Sequence, residues 1–196
     1  MKKPYYLLLL LAVALFSGCS KDDDNTEDPV DKLFSFNIKN EKSFTAAQSD
    51  INTYYAAQQF GLNYPLPVSG VASDTEKDFR DNNTSTSLVT AIRAREVYLT
   101  MPDNETENFG FLEKMDIYIA SDTTGYDAVL MAYNRNISAT VGKKLVFTPT
   151  DNSMDKYVKA GKYALILKDV KLRRTVATNL KITARLTYTV TANPLK

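Results

Sequence analysis

The sequence predicts an all-β protein, an antiparallel β-sandwich with one or two short connector helices. Apolar and polar residues alternate with a period of two through most of the chain after residue 31, and β-branched residues are frequent there. Turn-forming residues, as at 122–125 and 134–136, separate the alternating segments. Seven such strands with few convincing helices are typical of a sandwich. Their number leaves an immunoglobulin-like and a jelly-roll-like arrangement both open.

The clearest strand is Leu180–Ala192, where an apolar row that begins with Leu180, Ile182 and Ala184 alternates strictly with Lys, Thr and Arg. Its polar positions predict one solvated face. Shorter versions of the pattern predict six further strands, at 33–38, within 88–101, and at 115–120, 129–133, 144–148 and 163–168. The start of the 88–101 segment could instead form a helical turn.

Two short helices are predicted as connectors at the ends of the sandwich. Asp74 is a candidate N-cap for a helix at 74–79. Ser153 begins a second candidate at 153–160, which stops at Gly161.

The first 18 residues have the three parts of a secretory signal. Lys2 and Lys3 form a charged start, residues 7–16 are apolar, and Ser17 and Gly18 are small. The apolar stretch of ten residues is too short for a membrane span, because a helix needs about 20 residues to cross a bilayer.

Cys19 follows at once and is the only cysteine of the chain. Residues 16–19, Phe-Ser-Gly-Cys, resemble the lipobox of bacterial lipoproteins, in which the cysteine becomes the first mature residue and its sulfur carries a diacylglycerol. The next residues resemble the export signal that sends lipoproteins of the Bacteroidetes to the outer cell surface: Ser20, Lys21, Asp22, Asp23 and Asp24. The resemblance covers residues 2–28 and implies a lipid-anchored outer-membrane protein exposed on the cell surface. The same acidic run predicts a solvated tether, since like charges repel.

We therefore predict a signal peptide at 1–18, a lipidated cysteine with its tether at 19–31, and a single domain at 32–196. Cleavage would leave 178 residues, and the loss of Lys2 and Lys3 reduces the 24 basic residues to 22, against 23 acidic ones. Such a balance offers no electrostatic footprint for nucleic acid. Because the lone cysteine is assigned to the lipid, apolar burial alone must hold the fold.

Histidine is absent from the sequence. Its absence excludes Ser-His-Asp and Cys-His nucleophiles and the usual imidazole zinc ligands. No glycine-rich phosphate loop is present. A carboxylate pair, as in glycoside hydrolysis, is the remaining chemistry, and the clusters are 74–81 and Glu105 with Glu107. Both are predicted to be solvated surface, so we expect no enzyme.

We also expect no metal and no cofactor. Residues 22–28 are rich in oxygen ligands, but they lack the glycine turn and distal glutamate of an EF-hand loop. Residues 151–155 are explained more simply as a helix cap.

Residues 52–64 concentrate tyrosine, glutamine and asparagine, and they supply the candidate ligand contacts Tyr54, Tyr55, Gln58, Gln59 and Tyr64. As a loop on a rigid sandwich this segment would suit glycan binding, because aromatic faces stack on sugar rings and amides bond hydroxyls. The alternative is that its aromatic residues close one end of the sandwich over the core.

Asp122-Thr123-Thr124 resembles the acceptor motif of Bacteroidetes protein O-glycosylation, which implies a sugar on Thr123. The chain as a whole resembles immunoglobulin-like lipoprotein domains of gut-type Bacteroidetes, which favours a non-enzymatic role. We predict a lipid-anchored binding module of the cell surface, for glycans in nutrient uptake. A structural or adhesive protein that contacts other proteins through its strand edges is the alternative.

Overall fold

The computed structural model describes residues 34–62 and 69–193. The chain divides into two units, Met1–Asp31 and Lys32–Lys196, and the described residues belong to the second. The predicted signal peptide, the lipidation site Cys19, the export residues 20–24 and Tyr64 lie outside the described residues.

The described chain is mostly antiparallel β-structure with a few short helices. The strands are β1 (Phe34–Ala46), β2 (Ser69–Ala72), β3 (Val89–Thr100), β4 (Leu112–Ala120), β5 (Val129–Asn134), β6 (Lys144–Pro149), β7 (Lys162–Leu172) and β8 (Leu180–Ala192). The α-helices are α1 (Gln48–Gln59), α2 (Thr75–Asp81) and α3 (Asp155–Lys159). None of the described helices has the length and apolar character needed to cross a bilayer.

The strands follow the order β1-β8-β3-β6-β5-β4-β7-β2. β1 pairs with β8, β2 with β7, β3 with β6 and β4 with β5, all antiparallel. This nesting of the first strand with the last is the connectivity of a jelly roll, so of the two sandwich arrangements the chain adopts the jelly-roll-like one. We call β1-β8-β3-β6 the first sheet and β2-β7-β4-β5 the second sheet. β6 joins them, because its start pairs with β3 and its last two residues pair with β5.

The two sheets enclose a common core that contains a short chain of hydrogen bonds. The rings of Tyr163 in β7 and Tyr188 in β8 meet edge to face with centroids 6.3 Å apart. Their hydroxyls are 3.1 Å apart, and Asn40 donates to the Tyr163 hydroxyl at 3.0 Å. Burial raises the pKa of both phenols. Buried polar groups are costly without partners, so these hydrogen bonds fix how the two sheets face each other.

The predicted fold class is confirmed. Four strands, β4 to β7, extend beyond their predicted bounds by one to four residues at an end, and larger differences concern β1 and β2. β1 runs to Ala46 rather than residue 38. The prediction stopped early because Asn40 and Lys42 continue the row of Phe34, Phe36 and Ile38 with polar residues, which breaks the alternation. β2 was not predicted, since four residues that include Gly70 give too short a pattern to recognise.

Both connector helices are present. The predicted cap of α2 is confirmed, because the Asp74 side chain accepts a hydrogen bond from Lys77 N at 3.1 Å. α3 begins later than predicted, and Met154 rather than Ser153 occupies its N-cap position. The Asp155 carboxylate accepts from Ile92 N at 2.6 Å and so ties α3 to β3.

Candidate functional site

Residues 52–59 of the segment predicted as a ligand-binding loop lie in the helix α1, so the loop assignment was wrong for them. Its helical spacing was visible in Ile51, Tyr54, Tyr55 and Gln58, which stand at positions i, i+3, i+4 and i+7. Ile51 is buried, and both tyrosines pack against the core. The helix forms because this face covers the open side of the sandwich.

Two of the candidate contacts in α1 already have partners inside the protein. The Tyr54 hydroxyl donates to Val170 O at 2.8 Å. The Gln58 amide donates to Leu172 O at 3.1 Å and accepts from Leu172 N at 2.9 Å, so it substitutes for a strand neighbour of β7. Gln59 is exposed. These contacts are those of the core-covering alternative, while ligand contact by α1 stays a prediction.

A second candidate site lies on the outer face of the first sheet, and we call it the trough. Two rows of side chains cross β1, β8 and β3 there. Lys39 lies opposite Thr187, which lies opposite Glu96. One step along the strands, Glu41 lies opposite Arg185, which lies opposite Tyr98. The rows enclose a depression of about 350 Å³, and Thr187, only 9% exposed, is its floor.

Ion pairs and ring contacts hold the second row in place. Arg185 Nε forms an ion pair with Glu41 Oε2 at 3.0 Å. A hydrogen bond to the Tyr98 phenol and the charge of Glu41 raise the pKa of Arg185. Lys144 Nζ lies 4.2 Å from the centroid of the Tyr98 ring. Arg185 is thus fixed between a carboxylate and a phenol, which orients its remaining donors.

The trough combines the groups that recognise a polyhydroxylated ligand. Lys39 and Arg185 supply cationic donors, Glu41 and Glu96 supply acceptors, and Thr187 supplies a hydroxyl. Tyr98 adds a half-buried aromatic ring at one side. Sequence reasoning missed this set because its residues come from three strands far apart in the chain. The available signal was the polar side of the alternation in β8, which includes Arg185 and Thr187.

The carboxylate clusters have different surroundings. Glu76 and Asp81 of α2 form exposed ion pairs with Arg80 and Lys77. Glu107 was predicted to be solvated and is instead 8% exposed. Its carboxylate accepts from Arg174 at 2.8 Å and from Ala177 N at 3.0 Å. Within residues 34–62 and 69–193, no three His, Cys, Asp or Glu side chains cluster as a metal site requires.

Thr123 is exposed in the turn between β4 and β5. The neighbouring Asp122 carboxylate accepts from the Thr124 hydroxyl at 2.5 Å and from Thr124 N at 2.8 Å. These bonds lower the pKa of Asp122 and shape the turn. Glycosylation of Thr123 stays a prediction.

No family model and no curated protein matches the chain. Among solved structures, a chain of the Nora virus structure is similar with a TM-score of 0.36 and 12% identity, covering 84% of this chain and 61% of that chain. A chain of black queen cell virus has a TM-score of 0.23 and 12% identity, covering 91% and 75%. The present chain thus spans about three fifths of the Nora virus chain. Both scores are too low to carry an argument, and the fold assignment depends on the strand order.

Proposed function

We propose that this protein is a non-enzymatic, lipid-anchored binding module of the outer cell surface and that it binds a saccharide in the trough. The observation that carries the proposal is the pair of rows across β1, β8 and β3, which places two cations, two carboxylates and a tyrosine ring around one floor. Sugars present alternating hydroxyls and apolar ring faces, which these groups complement. The resemblance of Cys19 and residues 20–24 to a lipobox and an export signal supports the lipid anchor and the location on the cell surface.

Binding without catalysis fits the openness of the trough. A general acid in glycoside hydrolysis needs a raised carboxyl pKa, which requires apolar enclosure. Glu96 is exposed and the Glu41 side chain is 56% exposed, on a sheet face open to solvent. These carboxylates are therefore suited to accept hydrogen bonds from hydroxyl groups.

The test is a glycan array probed with the full-length protein in detergent, followed by titration of any hit against three variants. Tyr98→Ala should weaken binding by about 1–2 kcal/mol, the scale of a lost aromatic contact. Tyr133→Ala is the matched control, because Tyr133 is also half-buried and carries a cation, Arg135, at 4.7 Å from its ring centroid. It should leave affinity unchanged.

The variant Tyr55→Ala distinguishes binding in the trough from binding at α1. Loss of binding in Tyr55→Ala with full binding in Tyr98→Ala would move the ligand to α1 and contradict the trough. An array without any hit would contradict saccharide binding and favour the alternative of a protein-contacting surface module.

A further inference from the structure

β1 has an edge with no neighbouring strand among the described residues. It is the first strand in the sheet order and pairs along all 13 residues with β8 on its other side. β2, the strand at the opposite end of the order, has only four residues. A long edge strand presents a row of backbone donors and acceptors to which another strand can add.

The side chains along this edge are self-complementary. An antiparallel pair of identical strands related by a two-fold axis through Asn40, the central residue of β1, places each residue opposite the one equally far on the other side of Asn40. Lys39 then lies opposite Glu41 of the second copy, and Glu41 opposite Lys39 of the second copy. On the same outer face, Asn37 lies opposite Ser43 and Ser35 opposite Thr45. Opposite charges directly across a strand pair are stabilising.

From this pattern we propose that the protein forms a two-fold symmetric dimer through β1, which joins the first sheets of two copies into one continuous sheet. The proposal does not depend on a ligand in the trough.

The neighbouring registers are disfavoured by charge. A register shift of one residue would turn the outer face of one copy to the core side of the other copy. Only shifts by an even number of residues keep the outer faces of both copies on the same side of the joined sheet, and the smallest such shift is two residues. A shift in one direction puts Lys39 opposite Lys39 of the second copy, and a shift in the other direction puts Glu41 opposite Glu41. Like charges directly opposite each other are destabilising. The sequence therefore selects the register centred on Asn40.

The core-facing side of β1 also favours a second strand. Phe34, Phe36 and Phe44 are only partly buried in one copy, and the rings of Phe34 and Phe36 stack at 5.8 Å. In the proposed register Phe36 lies opposite Phe44 of the second copy, so part of their exposed surface would be covered. Lys42 lies opposite Ile38, where its aliphatic stem can pack while its ammonium reaches water.

Charge reversal tests the proposal in the full-length protein, whose mass in detergent micelles is measured by light scattering. The parent should have the mass of two chains. Lys39→Glu and Glu41→Lys each create two like-charge pairs and should give single chains. The double variant Lys39→Glu/Glu41→Lys restores opposite charges and should give the dimer again. Lys162→Glu, an equal charge change on the exposed start of β7, should leave the dimer intact.

A second measurement tests the register on whole cells and does not depend on the folding of the charge variants. Asn37→Cys/Ser43→Cys places two thiols directly opposite each other, within the Cα separation of 4.4–6.8 Å that a disulfide spans. Mild oxidation should give a cross-linked dimer on a non-reducing gel, whereas each single variant should not. A parent of single-chain mass, a double charge variant that stays monomeric, or cross-linking of a single variant would each overturn the proposal.

Discussion

At the scale of single residues, Glu107 is a buried charge that joins two distant segments of the chain. Its carboxylate receives hydrogen bonds from the Arg174 guanidinium and from Ala177 N, both in the connection between β7 and β8. The bond from Arg174 is the main reason that the pKa of Glu107 lies below its ordinary value of 4.5. Glu107 therefore fastens this connection to the segment that precedes β4.

Glu107→Gln should lower the free energy of unfolding at pH 7 by about 1–3 kcal/mol, because it removes a charge-assisted bond at a buried position. A lowered pKa means that the folded state favours the ionised form, so this stabilisation is present above the unfolded pKa and is lost as pH falls through the folded value. Urea unfolding should show a gap between parent and variant at pH 7 that narrows towards pH 3.

Glu105→Gln is the control for this experiment. Glu105 is two residues away and half-buried, and its side chain has no hydrogen bond in the described structure. It should change the free energy of unfolding by less than about 0.5 kcal/mol. A gap between parent and Glu107→Gln that is equally large at both pH values would show that the effect is one of packing and not of charge.

The burial of Glu107 could not be predicted from the sequence. Its neighbours in the chain are polar, and its partners Arg174 and Ala177 follow about 70 positions later. A polar stretch of sequence predicts an exposed segment only when its side chains have no partners from distant parts of the chain. The burial of Asn40 could not be predicted for the same reason, because its side-chain amide donates to the hydroxyl of Tyr163 in a distant strand.

At the scale of elements, α1 depends on tertiary contacts more than on its own sequence. Its N-cap residue, Ala47, has no side chain that can cap the helix, and the last turn has no basic residue. The first N–H, that of Gln48, donates instead to Asn179 Oδ1 at 2.8 Å, from a residue far along the chain. Short isolated helices are marginal in water, and packing supplies most of their stability. Gln58 and Tyr54 provide that packing through the backbone of β7.

Gln58→Ala should lower the melting temperature by roughly 3–10 °C, because it leaves the backbone N–H and C=O of Leu172 without their partner. Thermal unfolding followed by circular dichroism measures this. Gln59→Ala, at the exposed neighbouring position, should change it by about 2 °C or less. Equal effects of the two substitutions would contradict the role assigned to Gln58.

The elements that sequence predicted best are those with strict alternation. β8 has the predicted bounds, because its inward residues are apolar and its outward residues polar throughout. The trough could not be predicted, even though its residues lie on recognised strands. The alternation assigns Arg185 and Tyr98 to an outer face but does not say that β8 lies between β1 and β3.

At the scale of the whole molecule, the residues that form the fold and the residues proposed to direct localisation lie in different parts of the chain. The described core extends from Ile38 to Ala192, and its first and last strands pair along their full length. Changes at residues 19–24 should therefore alter where the protein goes without altering how the sandwich folds.

The address can be tested with two variants of the full-length protein in its host. Cys19→Ser removes the sulfur that would carry the diacylglycerol, so the variant should accumulate as an unprocessed or soluble species. Replacement of residues 21–24 by alanine keeps Cys19 and should leave the protein lipidated but on the inner side of the outer membrane. Fractionation measures the first effect, and protease treatment of intact cells measures the second.

Because several acyl chains bind a membrane far more stably than one, the anchor should hold the parent firmly in the membrane fraction. A mature-length Cys19→Ser chain in that fraction would contradict the lipobox, and protease cleavage of the alanine variant as fast as the parent would contradict the export signal.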